Sequence, residues 1–194
     1  MPSKESPSWH KRQNDGFQYP RIKSFRSESQ VEAIPQKSLV FKETVDDGEG
    51  FQIEREYVLP EVLFHGTSLS ALAWKTSPDG SVKCSQFEPL NAVSGEDVRA
   101  WPLVPVPPKS KAVVVFSTDL AFSEDLGGSM NSLNVIRQQG EGDHAVVHLH
   151  TKYLPPGSYE VVKGTDVDFT DHDAYYNAVQ QARNRLIKKA RSMR

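Results

Sequence analysis

Residues 61–76 read EVLFHGTSLSALAWKT, and the groups in them that can do chemistry are His65, Thr67 and Ser68, with Gly66 set between. A short apolar run (Val62, Leu63, Phe64) delivers the histidine, and Leu69, Ala71, Leu72, Ala73 and Trp74 then resume at a helical spacing. A neutral imidazole offers one donor and one acceptor nitrogen. Gly66 lets a flat ligand or another backbone come close and is free to take dihedrals closed to other residues. Thr67 adds a hydroxyl that can orient the ring or the ligand. At the seam of a strand and a helix these groups form a polar pocket suited to a sugar hydroxyl or an amide. The competing reading is a core histidine whose nitrogens are satisfied by backbone groups.

Such a seam needs a strand before His65 and a helix after it. EVLFHGT predicts the strand. Thr67 or Ser68 predicts the cap, because either hydroxyl reaches the free N–H groups of a first turn. Pro60 closes the preceding strand, and Pro78-Asp79-Gly80 stops the helix. Upstream, SLVFKETV and FQIEREYVL alternate apolar and polar residues around DDGEG, the pattern of a β-hairpin. Downstream, the apolar run of KAVVVFST predicts a strand buried on both faces. Asp119 is expected to cap a short helix, LAFSED, that Gly127 and Gly128 end.

SMNSLNVIRQQGEGD reads as helix or loop, HAVVHLHT and SYEVVKG as strands, and VDFT as a continuation of the sheet. Tyr176, Val179, Ala182, Leu186, Ala190 and Met193 recur at helical spacing behind Asp171 or Asp173, either of which can cap. Acids at the start of that segment and bases at its end suit the helix dipole. Residues 77–111 carry Gly95 and six prolines, and read as one long irregular connection of the kind that is functional or mobile. The fold class is therefore α+β, sheet-rich, with short helices at two strand ends and a longer C-terminal helix.

A chain of 194 residues suits one domain. Residues 1–37, polar with scattered aromatics, read as a disordered or extended arm, and 38–194 as the single folded domain. The net charge of −2 hides an uneven distribution. Residues 1–37 carry seven basic and four acidic residues, a net of +3, and residues 181–194 carry six basic residues and no acid, a net of +6; the middle is therefore −2 − 3 − 6 = −11. An acidic body with basic ends is not the broad basic face of a dedicated nucleic-acid binder. The basic tail reads as a solvated helix end.

One cysteine, Cys84, excludes an internal disulfide framework and a cysteine zinc cluster. The polar start predicts no Sec-type signal, and no run reaches the roughly 18 apolar residues of a membrane span. The expectation is a cytoplasmic protein, or an effector exported without such a signal. His148 and His150 alternate on a strand and share a face, but no third ligand is placed by spacing, so no metal site is expected.

LFHGTS resembles the first motif of the ADP-ribosyltransferase superfamily, in the histidine-containing branch that includes poly(ADP-ribose) polymerases, rifamycin-modifying ADP-ribosyltransferases and tRNA 2′-phosphotransferases. VVFSTDLAFSED (114–125) is similar to the family's second strand and short helix, and GEGDHAVVHLHT, from Gly140, to its third strand. The resemblance spans about residues 60–170, with the motifs in family order. It implies split antiparallel β-sheets with short helices, and NAD as the substrate.

His65 would then bind a ribose hydroxyl of NAD, Gly66 the nicotinamide carboxamide, and Thr67 and Ser117 would line the site. Phe116, or Val115 in a register one residue away, stands where the family usually has Tyr or His. Phenylalanine can stack on nicotinamide but has no hydroxyl to offer. The catalytic acid would be Glu160, with Asp166 and Asp119 in reserve; a carboxylate there stabilises the oxocarbenium-like ribose left when nicotinamide departs. Tyr153 and Tyr159 would add aromatic surface, and 77–111 would close over the dinucleotide.

The implied reaction is transfer of ADP-ribose to a protein, nucleic-acid or small-molecule acceptor. The competing class is a non-catalytic binding module on the same fold. The tRNA phosphotransferase reaction is disfavoured because its several arginines have no counterparts here. The His-x-Thr pair of two-histidine phosphoesterases is not completed by HLHT.

Overall fold

The computed structural model describes residues 31–46, 48–83, 90–94, 106–122, 136–139, 146–149 and 153–194. Strand β1 (Ser38–Asp46) and strand β2 (Gln52–Pro60) form the expected antiparallel hairpin, with Ser38 opposite Pro60 and Asp46 opposite Gln52. Gly48 and Gly50 take φ of 85° and 89° in its turn, a region that side chains resist.

Strand β3 (Val62–Ser68) carries the His-Gly-Thr stretch and runs directly into helix α1 (Leu69–Lys75). Ser68, not Thr67, is the cap: its Oγ accepts from the Ala71 N–H at 3.1 Å. Next come the short strand β4 (Val82–Lys83), strand β5 (Leu90–Ser94), a 3-10 turn at Pro108–Ser110, and strand β6 (Lys111–Ser117). Helix α2 (Thr118–Ala121) is capped by Ser117, whose Oγ accepts from the Leu120 N–H at 3.3 Å; Asp119 lies in its first turn and is not the cap. Strands β7 (Ile136–Gln139), β8 (Val146–Leu149), β9 (Tyr153–Leu154) and β10 (Tyr159–Lys163) follow, and helix α3 (His172–Ser192) closes the chain. Asp171 caps α3, accepting from the Asp173 and Ala174 N–H groups at 3.0 Å.

The molecule is thus α+β with antiparallel sheets and a C-terminal helix. Among the described residues its main sheet has six strands in the order β10-β6-β3-β5-β8-β7. No helix among the described residues is long and apolar enough to cross a membrane.

Two hydrophobic clusters sandwich the sheet, and strand alternation assigns residues to them. On one face Leu63, Ala112, Val114 and Phe116 pack with Leu59 of β2, Leu72 of α1, Val82, Leu154 and Phe122. On the other, Val62, Phe64, Val113, Val115 and Val162 pack against Tyr175, Val179, Ala182, Leu186, Ile187 and Ala190 of α3. Residues 112–117 of β6 are all buried, so this strand is covered on both faces, as its apolar run predicts.

The structure corrects several expectations. Strand β5 lies inside the stretch that reads as irregular, and it is an inner strand of the sheet, so 77–111 is not one continuous lid. Its five residues are too few to stand out among the surrounding prolines. Strand β7 occupies part of the segment expected to be helix or loop. VDFT is turn rather than sheet, although Phe169 packs beneath α3. Tyr175 rather than Tyr176 takes the buried position on α3, and Met193 is exposed. Cys84, Gly95, Gly127, Gly128, Gly140 and His150 lie outside the described residues.

The basic tail is not simply solvated. Arg183 is buried, Arg185 pairs with Glu160, Lys189 donates to the Gly157 carbonyl, Arg191 pairs with Glu61 and Arg194 with Asp119. Order also extends upstream of Ser38: residues 31–37 form a strap, without helix or strand, held against α3.

Candidate functional site

His65 stands opposite Val114 on β6, and Gly66 and Thr67 stand opposite Val113 and Ala112. On the other side of β3 the ladder to β5 consists of Leu63–Ser94 and Phe64–Val93. β3 continues through His65, Gly66, Thr67 and Ser68 against β6, while β5 continues through Ala92, Asn91 and Leu90 against β8. His65 is half-buried, and Gly66 and Thr67 beside it are buried. Gly66 has ordinary extended backbone, since the positive-φ glycines are Gly48, Gly50, Gly80 and Gly157.

Two of the three motif-like stretches lie on neighbouring strands, β3 and β6, whereas the third, GEGDHAVVHLHT, falls on β8, which pairs with β5 and β7. β10, with SYEVVK, pairs with β6, with KAVVVFS, which pairs with β3. Tyr159 stands opposite Phe116, and Phe116 opposite Leu63. All three belong to the cluster on the α1 face. By alternation His65 shares that face.

Phe116 is 0 % exposed, packed among Leu63, Val114 and Phe122. Its ring is a core ring here, not a free stacking surface. Ser117 is also buried, three positions along the ladder from His65, roughly 10 Å away. Its Oγ caps α2 and its N–H donates to the Ser158 carbonyl at 2.9 Å.

Glu160 is not brought to His65. It stands opposite Val115, on the face that α3 covers. There Arg185 Nε lies 3.0 Å from both of its carboxylate oxygens, and Nη2 lies 2.6 Å from Oε2. The reserve acids are held elsewhere too. Asp119 accepts from Arg194 Nε at 2.9 Å, and Asp166 sits in the turn after β10, where Thr165 Oγ1 donates to it at 2.9 Å.

The β10 residue that does share the His65 face is Tyr159. Its hydroxyl donates to the Gly80 carbonyl, and burial, with a smaller push from Asp79, raises its pKa above the usual phenol value. Tyr153 is exposed on β9, opposite Lys83. His148 lies in register with Asn91 and Arg137. No group of three metal-ligating side chains occurs among the described residues.

One buried polar centre has no counterpart in the sequence reading. Glu61, directly before β3, is 2 % exposed. Its carboxylate accepts from Arg191 Nε at 3.2 Å and Nη2 at 2.7 Å, and from the Lys37 N–H at 2.9 Å. Its own N–H donates to the Lys37 carbonyl, and its carbonyl accepts from the Thr118 N–H, both at 3.0 Å. Burial alone would raise the Glu61 pKa, but the Arg191 and Lys37 bonds outweigh it and hold the carboxyl below its ordinary value. Glu61 thus fixes the start of the His65 strand to the strap, α2 and α3 together. The sequence signal was a lone acid between Pro60 and an apolar run, which solvated surface would explain equally well.

No family model matches this chain, and neither a curated protein nor a solved structure does.

Proposed function

We propose that this chain is a non-catalytic NAD-recognising module on an ADP-ribosyltransferase-like sheet, with His65, Gly66 and Thr67 as its ligand-facing strand. Two features support the NAD-recognising part. The strands β3 and β6, which carry the first two motif-like stretches, are adjacent, and His65 is half-buried rather than enclosed. A half-buried imidazole there can bond a ribose hydroxyl, and Gly66 beside it puts no side chain between a carboxamide and the backbone.

The observation that carries the non-catalytic part is the register of β10. Departure of nicotinamide leaves positive charge on the ribose, and a carboxylate must lie against it. Glu160 faces α3 and is neutralised by Arg185, while the residue on the His65 face is Tyr159. A phenol with a raised pKa is neutral at pH 7 and supplies no such charge. The reading rests on binding without transfer.

ADP-ribosyl transfer is the second reading, favoured by the adjacency of β10, β6 and β3. It requires an acid on the His65 face. Calorimetry with NAD, paired with an assay for nicotinamide release, separates the two. The module reading expects saturable binding, weakened in His65→Ala, and no release. Release that Glu160→Ala abolishes would restore the transferase.

A further inference from the structure

The strap is gripped in an unusual way: α3 reads its main chain with side chains. Asn184 Oδ1 accepts from the Ile34 N–H at 3.1 Å, and its Nδ2 donates to the Glu32 carbonyl at 2.8 Å. Arg183 Nη1 donates to the Ile34 carbonyl, and Arg191 Nη2 to the Pro35 carbonyl, both at 2.8 Å. A carbonyl and the N–H two residues later are the groups that an extended chain presents together to a neighbour. Asn184 therefore does to the strap what an adjacent strand would do.

Two side chains of the strap engage the domain: Ile34 packs onto the α3-face cluster, and Gln36 Oε1 accepts from Arg183 Nε at 3.4 Å, while Glu32, Ala33, Pro35 and Lys37 are exposed. A hollow of about 410 Å³, open to solvent and lined by Glu32, Ala33, Ile34, Pro35, Asn184 and Lys188, lies along the seam of strap and helix. On the helix side the arrangement is built. Arg183 is 9 % exposed, and desolvation lowers its pKa. Without a carbonyl in front of it, a buried guanidinium would lose its hydrogen bond without regaining water. The groove demands a peptide backbone, and the side chains it engages are those at the Ile34 and Gln36 positions.

We infer that the α3 groove is a receptor for an extended peptide, occupied in cis by residues 32–37, and that the strap gives way in trans to a peptide of the same chemistry: a branched apolar residue followed by proline. The apolar residue takes the Ile34 position. Proline suits the next one, because the structure uses the Pro35 carbonyl and a proline has no N–H to leave unpaired. This inference is independent of the NAD reading, since the groove lies on the face of the sheet opposite His65.

The test uses the full chain and a fluorescent hexapeptide, Glu-Ala-Ile-Pro-Gln-Lys, followed by anisotropy. Ile34→Ala, which loosens the cis occupant, is expected to bind the peptide saturably and at least about tenfold more tightly than wild type, because a competing strap lowers apparent affinity by the fraction of open groove. Adding Asn184→Ala to that variant should remove the binding. Absence of saturable binding to folded Ile34→Ala, or binding indifferent to Asn184→Ala, overturns the proposal. Hydrogen exchange on the wild-type chain covers the case of a variant that fails to fold. The Ile34 and Lys37 amides should exchange through local opening, faster than those of β6; exchange only through global unfolding overturns the proposal as well.

Discussion

Glu160 and His65 point to opposite faces of one sheet. Glu160 stands across from Val115, whose side chain packs under α3, and His65 across from Val114, which packs on the α1 face. Because the side-chain period of a strand is two, a single step of register decides which residue of Tyr159-Glu160 meets the histidine. Here it is the tyrosine.

Removing the carboxylate of Glu160 should therefore cost little. The ion pair with Arg185 is largely exposed, and such pairs contribute about 0–1 kcal/mol. Glu160→Gln is expected to melt close to wild type and to bind NAD unchanged. Loss of NAD affinity in calorimetry would put Glu160 back at the ligand.

Phe116 behaves oppositely. It is wholly buried, and truncating a buried phenylalanine costs about 3–5 kcal/mol. Phe116→Ala should lower the urea midpoint sharply, whereas Phe116→Leu should retain most stability and all ligand affinity. If Phe116→Leu folds but loses the ligand, the ring stacks after all.

Much of this frame was legible in the chain. Alternation predicted the β1–β2 hairpin, apolar runs predicted β3 and β6, and SYEVVKG read as the strand that became β10. What was not legible depends on partners far away in sequence. Glu61 is an unremarkable acid until Arg191, 130 residues later, is folded against it. The basic tail looked solvated for the same reason: its partners Glu160, Glu61 and Asp119 are scattered. Asp119 looked like a cap because carboxylates cap helices well, yet Ser117 reaches the Leu120 N–H first. Glu160 was recognised as a strand acid, but composition cannot fix which face it takes.

Glu61 should give acid sensitivity of a definite sign. Its carboxyl has a lower pKa folded than its ordinary 4.5, so the native state binds fewer protons there. Its stabilisation is complete above the unfolded value and is lost as the pH falls through the folded one. Urea midpoints of wild type should drop on going from pH 6 to about pH 3 more steeply than those of Glu61→Gln. Parallel curves would refute the assignment. At neutral pH, Arg191→Ala should lower the urea midpoint, because it leaves the buried Glu61 carboxylate without its guanidinium.

Gly164 marks a close backbone approach. A β-carbon built there would lie 1.9 Å from the Pro108 carbonyl oxygen, so the chain would have to move. Gly164→Ala should destabilise by about 1–3 kcal/mol, as overpacking does. Thermal denaturation equal to wild type would show that the 3-10 turn before β6 shifts without cost.

The most direct test of the central claim is calorimetric titration of the purified chain with NAD, run beside an assay for free nicotinamide. The account predicts saturable binding, at least about tenfold weaker in His65→Ala, with no nicotinamide released by either protein. Absence of binding, or release by wild type that disappears in Glu160→Ala, would contradict it.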